Sequence, residues 1–128
     1  MGYRLGNKSK SRLEGVHPDL VAVVERAIEI TGQDFSVLEG LRSLEKQRRN
    51  VARGVSKTMN SRHLTGHAVD LVPYPLPKGE WKRSWWVEIA EAMHQAADEL
   101  DVNLVSGHRD WGWDSPHFQL DWKSYPKQ

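Results

Sequence analysis

The stretch that most constrains the fold of this chain covers residues 61–72 and reads SRHLTGHAVDLV. Gly66 lies in its middle, and a glycine costs a helix about 1 kcal/mol relative to alanine while favouring a turn with positive φ. Residues 67–72, which follow it, have the alternating pattern of a strand and include the β-branched Val69 and Val72. We therefore predict a turn at 64–66 that leads into a strand, and not a helix that presents His63 and His67 on one face.

This strand would separate the polar residues of the stretch. His67 shares a face with Val69 and Leu71, whereas Asp70 points to the opposite face. His63 and Asp70 converge if the turn folds back, and they could then hold part of a metal site. The alternative is structural: Asp70 pairs with an arginine or with backbone N–H groups, and His63 is an ordinary loop residue.

A second segment, WDSPHFQL, offers a third ligand for such a site. A catalytic zinc needs three protein ligands and an open position for water. His117 begins a short predicted strand after a Ser-Pro turn, and Asp114 lies three residues before it, where it could act as a general base. The chain has no cysteine, so any metal must be held by His, Asp or Glu.

The pattern of elements predicts a small α+β domain with helices packed on an antiparallel sheet. A length of 128 residues fits one domain without a second, separate binding domain. Residues 1–15 are polar and glycine-bearing, and we expect a loosely held arm there. We predict helices over 18–30, 44–53 and 85–100, and strands over 35–41, 67–72, 102–107 and 117–122.

The charge balance and the N-terminus limit the partners of the chain. Its net charge is +1, from 18 basic and 17 acidic residues, so no global field favours nucleic acid or a membrane surface. No apolar run is long enough to span a bilayer, so we expect no membrane insertion. The N-terminal residues lack the apolar region of a signal peptide, which predicts synthesis in the cytoplasm.

Three sequence elements together resemble a family of zinc peptidases that includes D-alanyl-D-alanine carboxypeptidases, D-Ala-D-Ala dipeptidases and phage L-alanyl-D-glutamate endopeptidases. The family pattern S-x-H-x-x-G-x-A-x-D is filled at every fixed position, by Ser61, His63, Gly66, Ala68 and Asp70. Its acidic residue three before a histidine is matched by Asp114 and His117, and its Arg-Ser…Gln element by Arg42, Ser43 and Gln47. The resemblance implies the single-domain fold shared by hedgehog proteins and DD-peptidases.

The resemblance also implies a role for each matched residue. One zinc ion would be held by His63, Asp70 and His117, with Asp114 as the general base. Arg42 would stabilise the developing oxyanion or bind a substrate carboxylate. Ser61 would orient a ligand from behind. His108 precedes the second element and could line the cleft, whereas Trp111 and Trp113 either form a substrate wall there or pack under the loop.

An aspartate in the acidic position and the absence of a signal peptide make the sequence most similar to the phage endolysin branch. That branch implies lysis of bacteria by hydrolysis of the L-alanyl–D-glutamate bond in the stem peptide of peptidoglycan. A separate holin would then open the membrane to release the enzyme, and we expect a monomer. Two alternatives are a D-Ala-D-Ala carboxypeptidase or dipeptidase on the same scaffold, and a non-catalytic binding module stabilised by zinc.

Overall fold

A computed structural model describes residues 2–54, 61–76, 78–79, 81–112 and 114–126 of the chain. Four α-helices and four β-strands are joined by a 3-10 turn at Arg62–Thr65 and a π-helical turn at Gly107–Trp111. In chain order the regular elements are α1 (Asn7–Arg12), α2 (Pro18–Ile30), β1 (Phe35–Glu39), α3 (Leu44–Ala52), β2 (Ala68–Pro73), α4 (Arg83–Leu100), β3 (Leu104–Ser106) and β4 (His117–Leu120).

The four strands form one antiparallel sheet in the order β1-β2-β4-β3. Asp70 of β2 pairs directly with His117 of β4, and Val69 pairs with Phe118. Because side chains alternate between the faces of a sheet, Val69 and Phe118 enter the core while Asp70 and His117 lie together on the other face. The predicted α+β class is confirmed, and the register alone places the two halves of the sequence pattern side by side.

The core lies between this sheet and helices α2 and α4. Both helices carry an apolar stripe, and the fully buried side chains on them are Leu20, Val23, Val24, Ala27, Ile89, Met93 and Ala96. Burial of each large aliphatic side chain contributes about 1.5–3 kcal/mol, so this layer holds the sheet rigid beneath the site. In the described part of the chain, no helix is both long enough and apolar enough to cross a membrane.

The N-terminal segment differs from the predicted loose arm. Residues Asn7–Arg12 form α1, which lies against β1 at the edge of the sheet. The buried Ser9 Oγ accepts a hydrogen bond from the Val37 N–H, and Arg12 Nη1 donates to the Val37 carbonyl oxygen, each at 2.9 Å. One edge of an edge strand has backbone groups with no partner strand, and side chains of α1 form hydrogen bonds with these groups of β1. A six-residue polar helix carries too little periodicity for this contact to be read from the sequence.

The turn predicted around Gly66 is confirmed. The 3-10 turn ends at Gly66, which has a φ of 75°, and the strand begins two residues later. The Ser61 Oγ accepts a hydrogen bond from the His63 N–H at 3.2 Å and caps the turn. This turn sets His63 beside Asp70. Ser43 caps α3 in a similar way, since its Oγ accepts a hydrogen bond from the Lys46 N–H.

Candidate metal centre and cleft

Three side chains from different parts of the chain meet on the face of the sheet that is turned away from the helices. His63 Nε2 lies 3.2 Å from Asp70 Oδ1, and His117 Nδ1 lies 3.2 Å from the same oxygen. One donor atom from each residue lies within 4.8 Å of the others, and both histidines are buried. The 3-10 turn supplies His63, β2 supplies Asp70 and β4 supplies His117.

In both imidazole rings, the nitrogen that points away from Asp70 contacts an acceptor of its own. His63 Nδ1 donates a hydrogen bond to the Gly40 carbonyl oxygen at 2.8 Å. His117 Nε2 lies 2.8 Å from Gln119 Oε1. Neither partner was predicted from the sequence. Alternation along β4 could have identified Gln119, two residues from His117, whereas a backbone carbonyl such as that of Gly40 has no sequence signal.

Electrostatics within the cluster favours a bound cation. Burial alone would raise the pKa of Asp70, but hydrogen bonds that His117 and His63 donate when their rings are protonated outweigh it and hold this pKa well below its usual range. Burial would lower the pKa of His117, yet the Asp70 carboxylate beside it produces a net increase. Two imidazole nitrogens and one carboxylate oxygen that face a common point are a donor set typical of zinc and other transition metals. The residues present therefore fit a metal ion.

Asp114 lies beside this cluster, at the end of the loop that leads into β4. Its carbonyl oxygen accepts a hydrogen bond from the His117 N–H at 3.0 Å, and its backbone has a φ of 56°. Aspartate tolerates this left-handed conformation better than most residues, and Asp114 is exposed. Partial desolvation raises the pKa of Asp114, although the charge of His117 opposes this increase.

Arg42 lies behind the cluster and is held by side chains of its own neighbourhood. Its Nη1 donates to Gln47 Oε1 at 2.6 Å, and its Nη2 forms an ion pair with Glu39 Oε1. Its backbone N–H donates to the His63 carbonyl oxygen at 2.9 Å. The positive charge of Arg42 also opposes the increase in the pKa of Asp114. The predicted residue thus lies next to the group, with part of its guanidinium already engaged.

Aromatic residues form one side of the cluster. The Trp111 ring stacks on the His117 ring with centroids 5.1 Å apart and planes 22° from parallel, and 40% of its surface is exposed. The half-buried His108 contacts Ser115 through Nδ1, at 3.3 Å from Oγ. Trp113 lies outside the described residues. Trp111 therefore borders the three donor atoms directly, whereas His108 braces the loop that carries Asp114.

A half-buried histidine on α4 helps to hold the turn that carries Trp111. His94 Nε2 lies 2.9 Å from Ser106 Oγ, which also accepts a hydrogen bond from the Arg109 N–H. Asp110 Oδ2 accepts one from the Ser106 N–H at 2.9 Å. Burial, followed by the charge of Arg109, lowers the pKa of His94, and Asp110 and Asp98 oppose this decrease. This network was not visible in the sequence, because its members come from separate elements.

His67 lies apart from the cluster, as the alternation predicted. Its Nδ1 contacts Thr65 Oγ1 at 2.6 Å, and its ring lies 5.4 Å from that of His17. Burial, followed by the charge of Arg62, lowers the pKa of His67 and so favours its neutral form. His63 and His67, although close in sequence, therefore lie in different environments.

Comparisons with known proteins agree with this geometry. A family model described as phage L-alanyl-D-glutamate peptidase matches residues 1–123. The chain is 34% identical over 116 residues to the L-alanyl-D-glutamate peptidase of Escherichia phage T5, with 87% of this chain and 83% of that protein covered. It is 31% identical over 103 residues to the L-alanyl-D-glutamate peptidase of Listeria phage A118; the match covers 76% of this chain but only 34% of that longer protein.

A solved structure is similar over nearly the whole chain. The crystal structure of the Serratia marcescens L-Ala D-Glu endopeptidase ChiX superposes with a TM-score of 0.87 at 42% sequence identity. The match covers 98% of this chain and 96% of that one. The arrangement of helices on the four-stranded sheet is thus shared with an endopeptidase of known structure.

Proposed function

Since the chain belongs to the phage L-alanyl-D-glutamate peptidase family, we propose that it hydrolyses the bond between L-alanine and D-glutamate in the peptidoglycan stem peptide. One observation carries the proposal at the level of residues. Donor atoms of His63, Asp70 and His117 converge within 4.8 Å, and Asp114 is near enough for the charges of all three to affect its pKa. A purely structural metal site would have no need of that additional carboxylate.

The proposed cofactor is a single zinc ion held by His63, Asp70 and His117. When bound, zinc supplies a Lewis acid that polarises the scissile carbonyl and makes water more acidic. Three protein ligands would leave a position for water, as in catalytic rather than structural zinc sites. The ion would lie at the exposed edge of Asp70, whose side chain is 20% accessible while the imidazoles are largely enclosed.

Asp114 is the proposed general base. Its carboxylate accepts a proton from the attacking water as the water oxygen bonds to the carbonyl carbon of L-alanine. The same carboxyl group then delivers this proton to the nitrogen of D-glutamate as the C–N bond breaks. The products are a free L-alanine carboxylate and a free D-glutamate amine. A raised pKa suits this exchange because it brings the carboxyl group closer to the working pH.

Arg42 has a proposed role in stabilising negative charge, and Trp111 has one in binding the substrate. The buried positive charge of Arg42 would favour the oxyanion that develops on the scissile carbonyl, or a carboxylate of the substrate. The exposed face of Trp111 would form a wall against which the stem peptide packs. Ser61 and His108 would hold the turn and the loop that present His63 and Asp114.

The proposed substrate lies in the cell wall, so the enzyme must reach that compartment to act. The assignment to a phage endolysin that lyses the host fits the phage relatives. Release by a separate holin, synthesis in the cytoplasm and action as a monomer stay predictions.

The substitution Asp114→Asn tests the proposed reaction. It preserves the size of the side chain but removes the base, so zinc content should stay at one ion per chain. The rate of wall hydrolysis should fall by roughly 10²–10⁴-fold, the usual contribution of a positioned acid or base. Asp98→Asn, which changes an exposed carboxylate on α4, is the matched control and should keep full activity. Near-normal hydrolysis by Asp114→Asn would show that Asp114 is not the base.

A further inference from the structure

The contact between Gln119 and His117 bears on how the proposed metal centre is assembled. The two residues are two positions apart on β4 and therefore share a face of the sheet. Gln119 Oε1 and His117 Nε2 are separated by 2.8 Å, and both side chains are buried, with 6% and 8% of their surface exposed. Water therefore cannot easily replace either partner.

The chemistry of this contact fixes where the proton of a neutral His117 ring lies. A neutral imidazole has one N–H and one bare nitrogen, and an amide oxygen can only accept a hydrogen bond. Gln119 Oε1 lies 2.8 Å from Nε2, closer than Asp70 Oδ1 lies to Nδ1, so the geometry favours the proton on Nε2. The bare Nδ1 then faces Asp70 Oδ1, 3.2 Å away. Without Gln119, the proton would move to Nδ1, where it could bond to the Asp70 carboxylate, and this nitrogen would no longer be available as a ligand.

His63 has the opposite arrangement. Its Nδ1 donates to the backbone oxygen of Gly40, so its bare Nε2 faces Asp70. The two rings therefore meet Asp70 through different nitrogens, and each needs an acceptor at its outer edge. For His63 the backbone supplies the acceptor, which substitution cannot remove. For His117 a single side chain supplies it.

We propose that Gln119 is a positioning residue that holds His117 in the Nε2–H tautomer and thereby keeps Nδ1 bare for the metal ion. This proposal rests on the proposed metal centre, but the tautomer is a property of the metal-free protein and can be measured without any activity. Partners of metal-binding histidines typically change metal affinity by 10–100-fold. The same scale is expected for Gln119.

The experiment compares three substitutions at one position. Gln119→Leu removes the acceptor at nearly constant volume, Gln119→Asn withdraws it by one methylene, and Gln119→Glu retains an acceptor. Gln33→Leu is the matched control, because Gln33 lies two residues before β1 and donates to the Asp34 and Tyr74 carbonyl oxygens. Folding is checked by circular dichroism, so that Gln119→Asn replaces Gln119→Leu if the leucine variant does not fold.

Two readouts are measured on each protein. The ¹⁵N chemical shifts of the His117 ring report its tautomer in metal-free protein at a pH where the ring is neutral. Competition with a zinc chelator reports the affinity for zinc alone. The wild type, Gln33→Leu and Gln119→Glu should show the Nε2–H form and tight zinc binding. Gln119→Leu and Gln119→Asn should show the Nδ1–H form and zinc affinity weaker by 10–100-fold.

The proposal is overturned if the Gln119→Leu or Gln119→Asn variant keeps the Nε2–H tautomer, or binds zinc as tightly as Gln33→Leu does. It is equally overturned if Gln119→Glu loses that tautomer. If the wild type binds zinc and obeys these expectations but cleaves no peptidoglycan, the proposed function fails while the role of Gln119 stands.

Discussion

Replacing Gly66 with alanine should damage both the stability of the protein and its metal centre. Gly66 ends the turn that carries His63, and its φ of 75° lies in the left-handed region. An alanine there costs roughly 1–2 kcal/mol for the left-handed backbone. Its Cβ would also lie inside the contact distance of the Gly15 carbonyl oxygen and 3.3 Å from Val16 Cα.

The steric contact adds a second cost, and a control variant isolates it. The atoms that meet the new Cβ belong to backbone, which cannot rotate away as a side chain can, and Gly66 is tied to the same segment by the hydrogen bond from the His17 N–H. Overpacking of this kind costs about 1–3 kcal/mol. Gly54 also has a φ of 75°, but a Cβ built on it meets no described atom within 4 Å. Gly54→Ala should therefore cost only the backbone part.

Urea unfolding of both variants measures the difference. We expect a loss of about 2–5 kcal/mol in the free energy of unfolding for Gly66→Ala, against about 1–2 kcal/mol for Gly54→Ala. The Gly66 variant should also bind zinc more weakly, because relief of the clash moves His63 relative to Asp70. Equal stability of the two variants would refute the close approach of Gly66 to Gly15 as a constraint on the turn.

Two further predictions concern elements that the sequence did not reveal. Ser9→Ala leaves the buried N–H of Val37 without its acceptor and should lower the free energy of unfolding in urea by about 1–3 kcal/mol. Ser11→Ala, on the exposed side of α1, is the control and should change this free energy by less than about 0.5 kcal/mol. Equal effects of the two substitutions would contradict the docking of α1 on β1. The pKa of His94 is lowered by folding, so the unfolded chain binds its proton more readily and stability should fall as the pH drops through about 6.5. His94→Gln at equal metal load should lose less stability than the wild type between about pH 7.5 and about pH 5.5, and parallel curves would show that His94 does not titrate differently in the folded state.

Much of the site could be predicted because local rules decide it. Gly66 marked a turn, and alternation after it separated His67 from Asp70, so local sequence was enough to assign the two conspicuous histidines to different environments. The α+β class with an antiparallel sheet followed from the order of the predicted helices and strands. The sequence offered His117 as a candidate third ligand and the family resemblance implied the full set, but no local pattern gave the register of β2 and β4 that brings Asp70 and His117 together.

The parts that could not be predicted depend on tertiary contacts between ordinary polar residues. Ser9 gives no signal of burial until β1 is known to be an edge strand that needs partners. The His94 network draws on α4, β3 and the turn after it, and no local pattern links them. Gln119 is an intermediate case, because its position two residues from His117 was readable but its direction toward Nε2 was not.

The most direct test of the account is digestion of purified peptidoglycan with identification of the new chain ends by mass spectrometry. The zinc-loaded enzyme should release fragments with a free D-glutamate amine and a matching free L-alanine carboxyl group. A chelator should abolish this release and added zinc should restore it, while His117→Ala should neither hold zinc nor cleave. Release of D-alanine instead would identify a carboxypeptidase or dipeptidase. Stoichiometric zinc binding with no new chain ends would contradict the central claim that this site is a peptidase centre.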